Sequence, residues 1–182
     1  MVKALGERRK TCRLPRQTKL MEHSIVIERM DPGEASALVD LIVSVVSTLS
    51  YYNDRAREEE IAKYRKENLV EMVKDDPDSA LVARIDGRLA GFCLSYYDDG
   101  LLWLSWFGVA ADSRGIGIGR RLIAALEESA PKRGCHKVWC DTRVPNVQSA
   151  QVLTRAGYKQ LCRLENHWYG QDFFLWEKVL SE

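Results

Sequence analysis

Apolar residues recur along this chain with two periods, every second residue in some segments and every third or fourth residue in others. The first period is typical of strands and the second of amphipathic helices. Asp86-Gly87 between two strand-like runs predicts a tight hairpin, and Gly157 follows a helical run in the C-cap position. The predicted elements are strands over residues 24–30, 79–85, 88–97, 101–110, 136–142, 158–164 and 173–180, and helices over residues 34–49, 55–74, 120–132 and 147–155.

The element order is β-α-α-β-β-β-α-β-α-β-β. It predicts an α/β (α+β) fold in which helices flank a mixed, mainly antiparallel twisted sheet. The early strands form an antiparallel meander, and the later strand-helix-strand unit requires a crossover connection. Residues 23–182 are predicted to form one domain. Residues 1–22 show no periodicity and few bulky apolar residues, so we predict a basic, disordered extension there.

The formal net charge of +1 conceals an uneven distribution along the chain. Residues 1–21 hold seven Lys or Arg residues and one Glu, a local charge of +6, so the remainder carries −5 by difference. An acidic body argues against a general nucleic-acid binder.

The patterns of cysteine, histidine and hydropathy further restrict the class of protein to which this chain can belong. The five cysteines are an odd number without a C-x-x-C pair, which favours free thiols in a reducing compartment. The three histidines lie far apart, so no zinc spacing is present and no metal is predicted. No apolar run approaches the ~20 residues of a membrane span. These patterns predict a cytoplasmic protein that does not bind membranes.

A glycine-rich turn, Arg114-Gly115-Ile116-Gly117-Ile118-Gly119, separates an apolar strand from a helical segment. Backbone N–H groups at such a helix N-terminus favour an anion, phosphate above all. A dinucleotide fingerprint would need a glycine where Arg120 stands, and the Gly-Lys-Ser/Thr of a Walker A loop is absent.

The Arg-x-x-Gly-x-Gly pattern resembles the motif of the GNAT superfamily of N-acetyltransferases, which wraps the pyrophosphate of acetyl-CoA. The later Asn146-x-x-Ser149 and Ala156-Gly157-Tyr158 segments, at matching distances, also resemble that family. The resemblance runs from about residue 24 to the C-terminus. It implies the GNAT fold, acetyl-CoA as co-substrate and a primary amine as acceptor.

The resemblance also implies roles for individual residues. Phe107, Gly108 and Val109 are expected to pair with the pantetheine arm, the Val109 amide polarising the thioester carbonyl. Asn146 is expected to contact the arm, to cap the following helix, or to do both. Ile116 and Ile118 are expected to pack their side chains into the core. The turn expected to bind the pyrophosphate comprises Arg114, Gly115, Ile116, Gly117, Ile118, Gly119 and Arg120, with Arg120 or Arg121 adding charge at its rim.

On the acceptor side, Asp141 is the candidate general base. It stands where the ribosomal-protein N-terminal acetyltransferases, which this chain somewhat resembles, carry a glutamate. The alternative is that Asp141 caps a turn or pairs with Arg143. The family's proton-donating tyrosine is replaced by Leu153, so Tyr169, Tyr158 or solvent is left to supply the proton; Tyr169 is the candidate adopted here.

The resulting hypothesis is an N-acetyltransferase that moves an acetyl group directly from acetyl-CoA to an amine. The acceptor stays open between a protein N-terminus, a lysine and a small-molecule amine. The pocket for the acceptor is expected near Tyr51-Tyr52, Tyr96-Tyr97 and the Trp168 loop. A non-catalytic acyl-CoA-binding module is the alternative, and a homodimer is left open.

Overall fold

The computed structural model describes residues 24–180, so the predicted disorder of residues 1–22 lies outside the described residues. Short 3-10 turns cover Pro32–Glu34, Ala111–Ser113, Pro131–Arg133 and Trp168–Gly170. The strands and helices are β1 Ile25–Arg29, α1 Ala35–Ser47, α2 Asp54–Lys63, α3 Lys66–Asp75, β2 Ala80–Ile85, β3 Arg88–Asp98, β4 Leu101–Val109, α4 Ile118–Ser129, β5 Lys137–Arg143, α5 Val147–Arg155, β6 Lys159–Leu164 and β7 Phe173–Val179.

The seven strands form one sheet in the order β1-β2-β3-β4-β5-β7-β6. The pairing of β4 with β5 is parallel, and the other five pairings are antiparallel. The predicted hairpin is present: Ile85 pairs with Arg88, and Asp86 and Gly87 both have positive φ, 50° and 83°. Positive φ at both central residues matches the right-handed twist of the flanking strands. The predicted mixed, mainly antiparallel sheet is confirmed.

The helix predicted over residues 55–74 is two helices, which adds a fifth helix to the predicted order. α2 ends at Lys63, and Arg65 is extended with φ −69° and ψ 163°. Tyr64 at the break is buried and stacks on Trp106, with ring centroids 5.7 Å apart. Asn68 Nδ2 donates to the Lys63 carbonyl oxygen at 2.8 Å, which satisfies a helix-end acceptor.

Apolar cores cover both faces of the sheet because neighbouring strand residues point to opposite faces. On β3, Cys93 contributes to one core and Phe92 and Leu94 to the other. The first core contains Leu122, Ile123 and Leu126 of α4, the inward residues that the sequence predicts. Helices α1 and α3 close the second core.

Within residues 24–180, no helix is long and apolar enough to cross a membrane.

β4 and β5 pair over only four residues each and then separate. Their register runs from Leu101↔Lys137 to Leu104↔Cys140. Beyond that point β4 keeps its pairing with β3 as far as Val109, and β5 keeps its pairing with β7 as far as Arg143. The sheet therefore opens between β4 and β5, and the edges of both strands face the gap.

Candidate active site

A cavity of about 750 Å³ fills this opening. It is bounded by the second half of β4, the end of β5, the first turn of α4 and one face of α5. The sequence-predicted site residues that line it are Phe107, Gly108, Val109, Arg114, Gly115, Gly117, Ile118, Gly119, Arg120, Asp141, Asn146 and Tyr169. Residues from four separate elements thus meet in one space.

The Val109 amide faces the gap rather than the neighbouring strand. Ala110 N donates to Ala90 O at 2.9 Å, so Ala110 directs its backbone groups toward β3. In an antiparallel ladder the backbone groups of successive residues point to opposite sides, so those of Val109 point away from β3. The Val109 carbonyl oxygen accepts from Arg114 Nε at 3.1 Å on that side. The Val109 N–H is therefore a donor directed at the cavity.

The glycine turn places backbone donors at the start of α4. Gly115 and Gly117 have φ of 84° and 92°, and a Cβ at either position would meet no atom within 4 Å. Gly117 is the N-cap residue and offers no side chain to the first N–H groups of the helix. The residues of this first turn, Gly117 to Arg120, line the cavity. The turn is thus an open cradle of amide donors at a positive helix end.

The arginines around the turn differ in what their side chains contact. Arg114 Nη2 donates to Thr48 Oγ1 at 3.0 Å and so ties the turn to α1. Arg120 lines the cavity, whereas Arg121 Nη1 donates to the Ile25 carbonyl oxygen at 3.1 Å and does not line it. Arg155 of α5 also lines the cavity, a cation that the sequence analysis missed.

The two isoleucines of the turn behave differently. Ile118 is buried in the core as predicted and also borders the cavity. Ile116 is 47% exposed and does not line the cavity, so the prediction of core packing is wrong for this side chain. The reason is local: Ile116 lies between Gly115 and Gly117, whose left-handed conformations lift the turn off the core.

Asn146 is the N-cap of α5. Its Oδ1 accepts from Ser149 N at 3.1 Å, and its Nδ2 donates to Ser149 Oγ at 2.9 Å. The side chain also borders the cavity. The capping role expected of Asn146 is confirmed, and its contact with a ligand stays a prediction.

Asp141 lies on β5 and faces the cavity. Trp168 Nε1 donates to Asp141 Oδ2 at 2.8 Å. Burial raises the pKa of Asp141, although the Trp168 hydrogen bond and the charges of His167 and Arg143 act in the opposite direction. A carboxylate with a raised pKa is a better proton acceptor at neutral pH than an ordinary one.

Arg143 has partners other than Asp141. Its guanidinium carbon lies 3.6 Å from the centroid of the Tyr52 ring, and Nε donates to Gln171 Oε1 at 2.9 Å. The alternative in which Asp141 pairs directly with Arg143 therefore does not match the hydrogen bonds formed. Asp141 is held by Trp168 instead.

Among the tyrosine candidates, Tyr169 reaches the cavity. It lies in the 3-10 turn over Trp168–Gly170 with φ of 57°, and its carbonyl oxygen accepts from Asn53 Nδ2 at 3.0 Å. Burial raises the pKa of Tyr169. Tyr158 and Leu153 are buried in the core and do not line the cavity.

Some, but not all, of the residues expected to form the acceptor pocket line the cavity. Tyr51, Tyr52, Tyr96 and Trp168 line the cavity, whereas Tyr97 does not and instead lies under the Arg133 guanidinium, 5.2 Å from ring centroid to Cζ. Glu60 and Lys63 of α2 also line the cavity, and the sequence does not single them out because their helix is charged along most of its length. Within residues 24–180, no group of three or more His, Cys, Asp or Glu residues could hold a metal ion.

Sequence comparison agrees with this arrangement. The profile of the Acetyltransferase (GNAT) family matches residues 45–158, which is more than half of the chain. The chain belongs to the GNAT family. An acetyltransferase of Pectobacterium atrosepticum is 38% identical over 71 residues, 39% of this chain and 50% of that protein. An uncharacterized N-acetyltransferase of Methanocaldococcus jannaschii is 32% identical over 101 residues, 54% of this chain and 65% of that protein.

Solved GNAT structures share the fold across nearly their whole length. The ribosomal-protein-alanine N-acetyltransferase from Brucella melitensis superposes with a TM-score of 0.70 at 22% identity, covering 85% of this chain and 99% of that chain. The PaiA N-acetyltransferase from Thermoplasma acidophilum, solved in complex with coenzyme A, superposes with a TM-score of 0.72 at 20% identity, covering 86% and 99%. At these identities the likeness concerns the fold.

Proposed function

We propose that this GNAT protein transfers an acetyl group from acetyl-CoA to a primary amine within a ternary complex. One observation supports this above the others: a single cavity joins an open strand edge, a cradle of amide donors and a partly buried carboxylate. The acceptor is a protein N-terminus, a lysine or a small-molecule amine.

The chain's own groups fit coenzyme A in three places. The amides that begin α4 and the Arg120 side chain would hold the pyrophosphate, because both present positive charge to one end of the cavity. The open edge of β4 from Phe107 to Val109 would hydrogen-bond the pantetheine arm in the manner of an added strand. The Val109 N–H would then donate to the thioester oxygen, where negative charge develops during attack.

Asp141 is the proposed proton acceptor and Tyr169 the proposed proton donor. An alkylamine with a pKa near ~10 arrives as an ammonium and must lose a proton before it can attack. Asp141 accepts that proton directly or through a water, and the neutral amine attacks the thioester carbon to form a carbon–nitrogen bond. The nitrogen then releases its second proton to solvent, and the carbon–sulfur bond breaks. Tyr169 donates a proton to the departing thiolate. Since a thiolate with a pKa of ~8.5 leaves readily, this step assists without being essential.

The cysteine at the site supports direct transfer rather than an acyl-enzyme. Cys140 lines the cavity but is only 2% exposed, and burial raises its pKa well above the ordinary value. A thiol must ionise to act as a nucleophile. Cys140 is therefore a poor acyl carrier.

A non-catalytic acyl-CoA-binding module is the second candidate. The burial of Leu153, where the family carries its proton-donating tyrosine, favours it. In that case the cradle and the β4 edge would bind acyl-CoA in the same way. Only the chemistry at Asp141 would be missing.

An acceptor screen separates the two functions. The protein is incubated with acetyl-CoA and three amines: a short peptide with a free N-terminus, an N-terminally blocked lysine peptide and n-hexylamine. Release of free thiol and the mass of each amine are followed, with Asp141→Asn as the matched control. Thiol release with a mass gain that Asp141→Asn reduces supports the transferase. Tight acetyl-CoA binding without product from any amine supports the binding module.

A further inference from the structure

The acceptor end of the cavity is closed by contacts between the start of α2 and the Trp168–Gly170 turn. Asn53 Nδ2 donates to the Tyr169 carbonyl oxygen at 3.0 Å, and Gln171 Nε2 donates to the Tyr51 carbonyl oxygen at 2.7 Å. α2 therefore forms one wall of the space that faces Asp141. Glu60 points into this space from α2 and is 17% exposed at its side chain.

Aromatic rings line much of the same end of the cavity. The faces of such rings attract cations, and the attraction strengthens where water is excluded. The aromatic residues on the cavity wall include Tyr52, Tyr96, Trp103, Trp106, Trp168 and Tyr169.

The charged groups at this end do not balance. Arg143 is buried, with its guanidinium carbon 3.6 Å from the Tyr52 ring centroid and 5.0 Å from that of Phe173. Its charge acts on two carboxylates, Glu60 and Asp141, so when both are ionised these three side chains carry one more negative than positive charge.

The neighbouring cations offset this deficit only in part. Glu60 Oε1 and Arg143 Nη2 form an ion pair at 3.8 Å, without a hydrogen bond between them. Lys63 also lines the cavity, with its ammonium 5.1 Å from the Tyr64 ring centroid, but it is exposed, so solvent and salt weaken its charge without removing it. Burial and the charge of Asp141 raise the pKa of Glu60, while Lys63 and Arg143 act in the opposite direction.

We propose that Glu60 binds the ammonium form of the acceptor beside Asp141, so that the substrate is a cationic primary amine enclosed by aromatic rings. This inference rests on the proposed transferase function. Glu60 supplies the counter-charge that draws the ammonium into the cavity, and Asp141 removes its proton. Glu60 is accordingly a specificity-determining residue, and its loss weakens acceptor binding more than it slows the chemical step.

The test uses n-hexylammonium and n-hexanol, which have similar shapes and differ in charge. Their dissociation constants are measured calorimetrically on the unliganded protein and on the protein saturated with CoA, which cannot acetylate them. We expect n-hexylammonium to bind the wild-type protein at least about tenfold more tightly than n-hexanol, the effect of one charge-assisted hydrogen bond. Glu60→Gln should reduce the preference to within about threefold, and Glu60→Asp should restore part of it.

Glu58→Gln is the matched control, because Glu58 is an exposed carboxylate on the same helix. It should retain the full preference for the ammonium. Equal binding of the two probes by the wild-type protein, or an unchanged preference in Glu60→Gln, would overturn the role of Glu60. Failure of CoA to bind, with the ammonium preference intact in the unliganded protein, would contradict the transferase and still support the cation site.

Discussion

A carboxylate introduced at Gly119 should weaken acetyl-CoA binding strongly while leaving the fold intact. Gly119 lies in the first turn of α4 at the amide cradle, and it lines the cavity. A Cβ there would lie 3.6 Å from Phe107 Cε2 and 3.8 Å from Val152 Cγ1, which are ordinary contacts. Gly117 is a poorer choice, because any side chain is strained at its φ of 92°.

The expected size of the effect follows from Coulomb's law. A carboxylate about 6 Å from one phosphate charge, in an effective dielectric of about 20, costs about 3 kcal/mol. That energy corresponds to a loss of roughly 100-fold in affinity. The same carboxylate stabilises the positive end of α4 by about 0.3–1 kcal/mol, and replacing a helical glycine stabilises the helix further. Gly119→Asp should therefore lose affinity without losing thermal stability.

Isothermal titration with acetyl-CoA, together with the melting temperature, measures both quantities. Gly119→Ala is the matched control, since it adds the Cβ without the charge and should keep its affinity within about threefold. The loss in Gly119→Asp should shrink as salt is raised, because the repulsion is screened. Equal affinities for Gly119→Asp and Gly119→Ala at low salt would refute the placement of the pyrophosphate.

Three further changes test other parts of the site. Asp141→Asn should lower kcat by about 100-fold or more at neutral pH. As the pH is lowered through the raised pKa of Asp141, the wild-type kcat should decrease, because the carboxylate becomes protonated. The kcat values of the two enzymes should therefore converge at low pH. The ionised Asp141 opposes folding above its raised pKa, so Asp141→Asn should not lower the melting temperature at neutral pH. Tyr169→Phe should lower kcat by no more than about 100-fold, and an unchanged kcat would remove its hydroxyl from the mechanism. Gly108→Ala should destabilise the fold by about 1–3 kcal/mol in a denaturant titration, since its Cβ would lie 2.6 Å from Phe92 Cζ; an unchanged midpoint would contradict this packing.

Features that depend on local backbone requirements could be predicted from the sequence. Asp86-Gly87 adopts the two positive φ values of a tight hairpin, and Gly157 has the φ of 87° expected after a helix. Gly115 and Gly117 likewise occupy left-handed conformations in the glycine-rich turn before α4. In each case the residue type restricts the local conformation enough to indicate the turn.

Features that depend on contacts between distant segments could not be predicted in this way. The break after α2 is stabilised by the stacking of Tyr64 on Trp106, a residue of β4. Glu60 resembles the other charges of α2 in the sequence, and only the docking of that helix against α1 and the Trp168–Gly170 turn brings it to the cavity that Asp141 lines. The choice of Trp168 as the partner of Asp141 likewise depends on the position of the turn after β6.

A single-turnover experiment tests direct acetyl transfer most directly. Protein in excess over acetyl-CoA is mixed with an acceptor amine from the screen, and free thiol, acetylated amine and protein mass are measured over time. Direct transfer predicts equal amounts of thiol and acetylated amine, formed at the same rate with no change in protein mass. An acetylated protein that appears before the product, or thiol release without acetylated amine, would contradict direct transfer in this cavity.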